Sequence, residues 1–184
     1  MSLRAITEFS YRLQAMTSDK NLFVFYLGGE APKANIEVHD VQFAIAKNAK
    51  DAYPPLIERW FGTRASLHID AYGVLKWADG YAISVRPTPS ASKQKLYFIN
   101  MGGYLPGALT EEHAFTFLVA ASPEVAKARA RKMLLTGHDH QHRDNLMEVD
   151  DCVLLDTIDG HFIHLEPSSD GTPIKAEWQG YQPI

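Results

Sequence analysis

Apolar runs and alternating apolar positions predict strands at several places along this chain. Residues 22–27 are apolar or aromatic and precede Gly28-Gly29, a pattern typical of a buried strand followed by a turn. Over 41–45 every second residue is strongly apolar, which predicts another strand. Extended segments flank Asp79-Gly80, and Asp-Gly favours a hairpin because both central residues of the tight turn need positive φ.

Helical signals stand between these strands. Ser122 can cap a helix that begins at Pro123 and ends before Gly137. One face of this helix is apolar, with the residues Ala126, Ala130, Met133 and Leu134. An earlier helix is expected to be delayed by Pro54-Pro55 and to run to Trp60 and Phe61. The spacing of apolar residues also predicts an amphipathic helix over 1–20.

The chain repeats itself. The segment 22–46 matches 96–120 at an offset of 74, the difference between Gly28 and Gly102. Asp70 and Asp79-Gly80 match Asp150 and Asp159-Gly160 at an offset of 80. We therefore divide the chain into an amino-terminal helix, two repeats and a carboxy-terminal tail, at 1–20, 21–90, 91–167 and 168–184.

This pattern predicts an α+β fold. Each repeat is expected to be a ββαββ unit, and the two units are expected to pack about a pseudo-twofold axis, with antiparallel sheets and helices on one face. The tail contains Ile174, Trp178 and Tyr181, so we expect part of it to pack.

Composition narrows the classes of function. The 184 residues are 46% hydrophobic and 22% charged, and the net charge of -4 disfavours nucleic acid as a partner. Cys152 is the only cysteine, which fits a reducing compartment. No apolar stretch is long enough to span a bilayer and no signal peptide is recognisable, so we expect a cytoplasmic protein without a membrane partner.

A stretch of the first repeat resembles a known family. It runs from Tyr26-Leu27-Gly28-Gly29 to Glu37-Val38-His39-Asp40, with Tyr53-Pro54 and Trp60-Phe61-Gly62 downstream. These residues resemble the bacterial domain-of-unknown-function family numbered 1543, which has one or two copies of the unit. In the second copy Ala114 replaces Asp40, so a site that needs this aspartate would be intact only in the first repeat. The resemblance implies the fold unit and no activity.

Glu37 with His39, and Glu111 with His113, are the first candidates for chemistry. Residues i and i+2 of a strand point to the same side, so each repeat presents a carboxylate beside an imidazole. Such a pair can form a general base, and two pairs together could hold a divalent metal such as Zn or Fe. The alternative is that each pair only fastens its own Gly-Gly loop.

Two loops are further candidates. Gly28-Gly29 and Gly102-Gly103 could bind an anion through backbone amides, or could simply form tight turns with positive φ. His138, His140 and His142 alternate in a polar segment that either chelates a metal or is a solvated loop.

Three remaining features favour structural roles, and for the cysteine and the basic helix face a functional alternative stays open. Cys152 is expected in a strand and chemically inert rather than nucleophilic. Asp70 and Asp150 are interpreted as bulge or hydrogen-bonding positions. The basic helix face is interpreted as solvated surface or, alternatively, as a docking patch for an acidic partner; it has Lys127, Arg129, Arg131 and Lys132.

Two classes of function follow. The first is a non-catalytic module that binds a small molecule or a protein partner near the Gly-Gly and Glu-x-His segments. The second is a small metal- or acid/base-dependent enzyme, hydrolase-like, with His39 as base or ligand, Glu37 as its orienter and Asp40 as a helper. Uncovered sheet edges also predict a homodimer.

Overall fold

The structure is a computed structural model that describes residues 19–104, 107–134 and 151–184. In these ranges the chain forms eleven strands and two α-helices. The strands are β1 (Asn21–Gly29), β2 (Val38–Ala46), β3 (His68–Val74), β4 (Trp77–Ala78), β5 (Tyr81–Arg86), β6 (Lys95–Gly103), β7 (Glu112–Ala120), β8 (Asp151–Leu154), β9 (Thr157–Ile158), β10 (His161–Pro167) and β11 (Trp178–Pro183). The helices are α1 (Tyr53–Arg59) and α2 (Pro123–Met133), and short 3-10 turns lie at Ala49–Ala52 and Arg64–Ser66.

Each repeat forms its own antiparallel sheet. In the first, β1 pairs with β2 and β3; in the second, β6 pairs with β7 and β8. β1 and β6 are the middle strands of these triplets because their apolar side chains are buried on both faces. The tail adds β11 beside β3, giving the order β11-β3-β1-β2 against β7-β6-β8. Part of the tail therefore packs, as the sequence predicts.

A third sheet joins the repeats. Its order is β4-β5-β10-β9, so a hairpin from each repeat contributes two strands. Ser84 of β5 lies opposite His164 of β10, and these two positions are counterparts at the repeat offset of 80. When a residue pairs with its own counterpart in the other repeat, a local twofold axis relates the two strands. Here that axis passes through the pair Ser84 and His164.

The predicted order ββαββ misses one strand. Three strands follow α1, because the chain leaves the first sheet after β3. Leu75 donates its N–H to Leu22 O at 2.8 Å, and the chain then turns into the β4–β5 hairpin. The counterpart Leu155 donates to Leu96 O at 2.9 Å. The sequence predicts a single strand here because the bend between β3 and β4 contains neither glycine nor proline to signal it.

The helices differ from the predictions at their ends. Pro54 and Pro55 do not delay α1, since both lie in its first turn, where a missing N–H costs no helical hydrogen bond. α1 ends at Arg59, before Trp60. Ser122 caps α2 as predicted, but Met133 is exposed instead of facing the core. Neither helix is long and apolar enough to cross a membrane.

Some predictions fall on residues outside the described ranges. The amino-terminal helix over 1–20 lies there except for its last two positions, and Asp150, Gly137 and the segment with His138, His140 and His142 lie there entirely. These predictions stay as they are.

Three apolar cores hold the molecule together. One lies beneath α1 and includes Phe25, Leu56 and Ile69, and another lies beneath α2 and includes Ile99 and Ala126. The third lies between the repeats. It buries residues from both sheets and both hairpins: Leu22, Val24, Ile45, Leu75, Val85, Leu96, Phe98, Phe117, Val119, Leu155 and Ile163. The repeats therefore share one core.

The two Asp-Gly hairpins are confirmed. Asp79 and Gly80 have φ of 51° and 83°, and Asp159 and Gly160 have 48° and 72°. Both central residues of each turn thus have the positive φ that a type I′ turn requires.

Each hairpin also binds the other repeat. Asp79 accepts hydrogen bonds from Val119 N at 2.8 Å and from both terminal nitrogens of Arg129, at 2.7 and 2.6 Å. On the opposite side Asp159 accepts one from Ile45 N at 3.0 Å. Val119 and Ile45 are counterparts at the offset of 74, so the two hairpins form a reciprocal clasp.

Candidate functional site

The two Gly-Gly pairs end strands and are not tight turns. Gly28-Gly29 ends β1 and Gly102-Gly103 ends β6, and none of the four is among the described glycines with positive φ. The turn interpretation is therefore wrong. What Gly28 provides is space: a Cβ there would lie 2.6 Å from His68 Nε2 and 2.8 Å from Asp70 Oδ2. Alanine would not fit without displacing these groups.

A β-bulge places Asp70 over Gly28. β1 pairs Tyr26 with Ala71 and Leu27 with Ile69, so Asp70 is the extra residue of β3. The bulge lets Ile69 enter the core beneath α1, while Asp70 joins the face that carries His68. The interpretation of Asp70 as a bulge position is confirmed.

Four side chains meet on this face and form what we call the His-carboxylate ring: Glu37, His39, His68 and Asp70. The Nε2 atom of His39 lies 3.7 Å from Glu37 Oε2 and 3.4 Å from Asp70 Oδ2. The Nε2 atom of His68 lies 3.1 Å from Glu37 Oε1 and 3.2 Å from Asp70 Oδ1. Each carboxylate therefore bridges the two imidazoles, and acid and base alternate around the ring.

His68 has a fixed orientation in this ring. Its side chain is only 3% exposed, and its Nδ1 lies 2.9 Å from Ser66 O. A carbonyl oxygen only accepts hydrogen bonds, so Nδ1 carries a proton. Nε2 then faces two carboxylates, and a bond to either needs one more proton, on the imidazole or on a carboxyl group. The ring of Tyr181, in the tail, packs on His68 with 4.2 Å between ring centroids.

His39 is the member of the ring that reaches solvent. Its side chain is 38% exposed and stacks on Tyr26 at 5.1 Å between ring centroids. With Nε2 directed at the carboxylates, Nδ1 has no hydrogen-bond partner in the described part of the chain. Burial, and after it the negative charge of Asp70, raises the pKa of Tyr26. The tyrosine beside His39 therefore stays a neutral phenol at physiological pH.

The two carboxylates outside the Glu-x-His pairs differ in their surroundings. Oδ2 of Asp70 is buried and has no hydrogen bond among the residues that the structure describes. Asp40 instead accepts a hydrogen bond from Gln42 Nε2 at 3.1 Å. The aspartate that contacts His39 Nε2 is thus Asp70, at 3.4 Å, whereas the predicted helper Asp40 bonds Gln42.

A cavity of about 930 Å³ opens beside the ring, between the two repeats. We call it the inter-repeat cavity. Its wall includes Glu37, His39 and Asp40 from the first repeat and His113 and Asp151 from the second. Several lining positions are counterparts at the offset of 74, namely Val24 and Phe98, Tyr26 and Asn100, His39 and His113, and Val41 and Phe115. The structure thus brings the two predicted histidines to one cavity.

The sequence of the second repeat does not encode the full ring. His113 Nε2 lies 3.6 Å from Glu111 Oε2, and the His113 side chain is 53% exposed. Glu111 and the four glycines lie outside the cavity wall. The counterpart of His68 is Glu148, so a second buried imidazole is not encoded.

Within the described ranges, no group of three or more His, Cys, Asp or Glu side chains is spaced to hold a metal ion. In the ring the nitrogens and carboxylates face one another directly. The metal hypothesis for His138, His140 and His142 concerns residues outside those ranges.

His68 is the residue of the ring that the sequence interpretation missed. His68 and Asp70 show the same i, i+2 spacing in a strand that drew attention to Glu37 and His39. A search for such pairs alone would have found them. Comparison of the two repeats points to positions that carry the same residue in both. His68 is not such a position, because its counterpart is Glu148.

The contacts of two other candidates, Cys152 and Arg129, are those of structural residues. Cys152 is half-buried in β8 against α2, and burial raises the pKa of its thiol, which lowers the thiolate fraction. Of the basic helix face, Arg129 binds Asp79 in the clasp and is not a free surface cation.

Comparisons with known proteins agree with this architecture. A crystal structure of the protein Il1583 from Idiomarina loihiensis superposes with a TM-score of 0.69 at 35% identity, over 89% of this chain and 97% of that one. The search of curated proteins gives no match. A family model described as Domain of Unknown Function (DUF1543) matches residues 34–85 and 108–165, more than half of the chain and in two segments, as expected for tandem copies. The chain therefore belongs to the DUF1543 family.

Proposed function

We propose that this protein is a non-catalytic module that binds a small organic molecule in the inter-repeat cavity. The observation that carries the proposal is the cavity of about 930 Å³, whose wall is built from counterpart positions of both repeats. Ligand sites in proteins commonly have volumes of roughly 300–1,000 Å³, with mostly apolar walls and a few polar groups. Val24, Phe98 and Phe115 supply such an apolar wall, and Glu37, His39 and Asn100 supply polar groups.

The test is a binding screen with a variant that fills the cavity. Ala71 lies on the cavity wall at the bulge of β3, and Ala71→Leu adds three heavy atoms there. Ala91→Leu, in the exposed connection between β5 and β6, is the matched control. We expect compounds from a fragment library, detected by ligand-observed NMR, to bind wild type and Ala71→Leu with different affinities and to bind Ala91→Leu as they bind wild type. Equal binding to all three proteins would contradict a site in this cavity.

The His-carboxylate ring favours a second candidate, an acid/base enzyme. His39 Nε2 lies near Asp70 and Glu37. When Nε2–H of the neutral imidazole donates to a carboxylate, Nδ1 has no proton and can accept one from a substrate. In this hypothesis Asp70 and Glu37 orient His39. A panel of nitrophenyl esters and phosphates tests it: hydrolysis that falls about 100-fold or more in His39→Gln, with the fold intact, would support the enzyme.

Assembly and location are further parts of the proposal. We propose that the protein acts in the cytoplasm and as a homodimer, as the single cysteine and the sheet edges predict. Light scattering at high protein concentration tests the dimer. A mass equal to the chain mass of 20.6 kDa would contradict it.

A further inference from the structure

Carboxylates dominate the charged groups around the inter-repeat cavity. Among the described residues of its wall are Glu37, Asp40 and Asp151, against one lysine, Lys175. Asp70 adds a fourth carboxylate, since its Oδ2 lies 3.4 Å from the cavity-lining His39. With the imidazoles of His39, His68 and His113 uncharged, these groups sum to a negative charge. A cavity with low-dielectric walls and one sign of charge concentrates ions of the opposite sign.

Aromatic rings form another part of the wall. Tyr26 lines it from the first repeat, and Phe98 and Phe115 line it from the second, with their ring centroids 5.5 Å apart. The faces of such rings attract cations within about 6 Å of the centroid, and they also pack on flat apolar groups. Tyr26 contributes as a neutral ring because burial raises its pKa.

A buried carboxylate oxygen lies next to a side chain of the wall. Asp70 Oδ2 forms no hydrogen bond among the described residues, and His39 Nε2, at 3.4 Å, is its ion-pair partner. A buried carboxylate oxygen favours further donors or positive charge nearby. His39 contacts this oxygen and also lines the cavity. A positive charge on the ligand would compensate the Asp70 charge across His39.

From these three features we propose that the ligand is an organic cation, an amine or a guanidinium compound with an aromatic or otherwise flat apolar body. This inference rests on the proposed binding function and names its ligand class. The positive group would lie among Glu37, Asp151 and the ring, and the apolar body would pack on Phe98 and Phe115. An organic anion would meet several carboxylates and one lysine, and would bind more weakly.

Three probes with one common body test the ligand class. Tryptamine, tryptophol and indole-3-propionate share an indolyl-ethyl group and differ in carrying a positive, a neutral and a negative end. Their Kd values are measured by NMR titration at low salt and mildly alkaline pH, where free imidazole is uncharged. We expect tryptamine to bind at least about tenfold more tightly than indole-3-propionate. High salt should reduce this difference.

Charge variants locate the interaction. Glu37→Gln and Asp151→Asn should each weaken tryptamine binding by about two- to fivefold and leave tryptophol binding unchanged. Glu58→Gln, on the exposed side of α1, removes the same charge outside the cavity wall and should change neither. An NMR spectrum that matches that of wild type verifies the fold of each variant.

The outcomes separate the ligand class from the binding function. If tryptophol or indole-3-propionate binds as tightly as tryptamine, and Ala71→Leu alters that binding, the cavity binds ligands but the cation proposal is wrong. If the charge variants and Glu58→Gln weaken tryptamine equally, or if none of the probes binds, the cation proposal is also overturned. The fragment screen then decides independently whether the cavity binds anything.

Discussion

Gly28 shows how a missing side chain can determine a site. The glycine lies under His68 and Asp70, and its hydrogen atom leaves the volume that those two side chains occupy. The bulge at Asp70 then turns both side chains toward the same face. The imidazole and the carboxylate are therefore fixed by the backbone, and Glu37 and His39 complete the ring from β2 and the segment before it.

Gly28→Ala is expected to destabilise the protein. In an ordinary strand position alanine is favoured over glycine by about 0.5–1 kcal/mol. Here the new methyl group would overlap His68 Nε2 at 2.6 Å, so we expect a loss of about 1–3 kcal/mol in the free energy of unfolding in urea. The same substitution in a His68→Ala background should cost less, because the closer of the two overlapping groups is gone and only Asp70 Oδ2 remains. An equal cost in both backgrounds would contradict steric exclusion.

The Asp-Gly hairpins link sequence signals to the assembly of the repeats. Asp tolerates the positive φ of 51° at position 79, and its carboxylate also satisfies the N–H of the buried Val119 in the other repeat. The turn was predictable because its signal is local. Its second role was not, since it depends on which strand lies opposite the hairpin tip.

The same division holds for the other elements. Ser122 and Pro123 determine the start of α2 through contacts within one turn, so the sequence is sufficient. The two-residue strand β4 and its place in the central sheet depend on β5 pairing with β10, about 80 residues away, and short-range patterns carry no information on that partner. In the site, the Glu37–His39 pair followed from strand periodicity, whereas its meeting with His68 depends on the bulge.

Removing the Asp79 carboxylate should weaken the clasp. Asp79→Ala leaves the Val119 N–H without its acceptor and places alanine at positive φ, so we expect the free energy of unfolding to fall by about 2–4 kcal/mol. Asp79→Asn retains an acceptor and tolerates positive φ, and loses only the ion pair with the partly exposed Arg129, which costs about 1 kcal/mol or less. Urea denaturation measures both values.

Asp159→Ala is the counterpart control. It leaves the Ile45 N–H without its acceptor in the same way, but Arg59 lies 3.7 Å from Asp159 against 2.6 Å between Arg129 and Asp79. We therefore expect a smaller loss than for Asp79→Ala. A larger loss at Asp159, or equal losses in Asp79→Asn and Asp79→Ala, would show that the clasp does not act through these hydrogen bonds.

The shared core makes the two repeats one folding unit. Leu22, Val24 and Ile45 of the first repeat pack in the same cluster as Phe98 and Phe117 of the second. The tail strand β11 crosses back to the first sheet, so the carboxy-terminal half of the chain also completes the amino-terminal half. The inter-repeat cavity exists only in this assembled state, since its wall draws on both repeats.

Neither half should fold alone. Fragments 19–90 and 91–184 each expose their side of the inter-repeat core, and the first also lacks β11 and the β10 partner of β5. A repeat of this size is marginal even with a complete core. We expect each fragment to lack cooperative thermal unfolding by circular dichroism, whereas the whole chain unfolds in one transition.

Cleavage after folding provides the matched control for the fragments. A protease site inserted in the exposed connection 87–94 allows the folded chain to be cut between β5 and β6. Because the central sheet, the clasp and β11 each join the two pieces, we expect them to elute together in gel filtration and to separate only in denaturant. A fragment 19–90 that unfolds cooperatively by itself, or cut pieces that separate in buffer, would contradict one shared core and with it a binding cavity that needs both repeats.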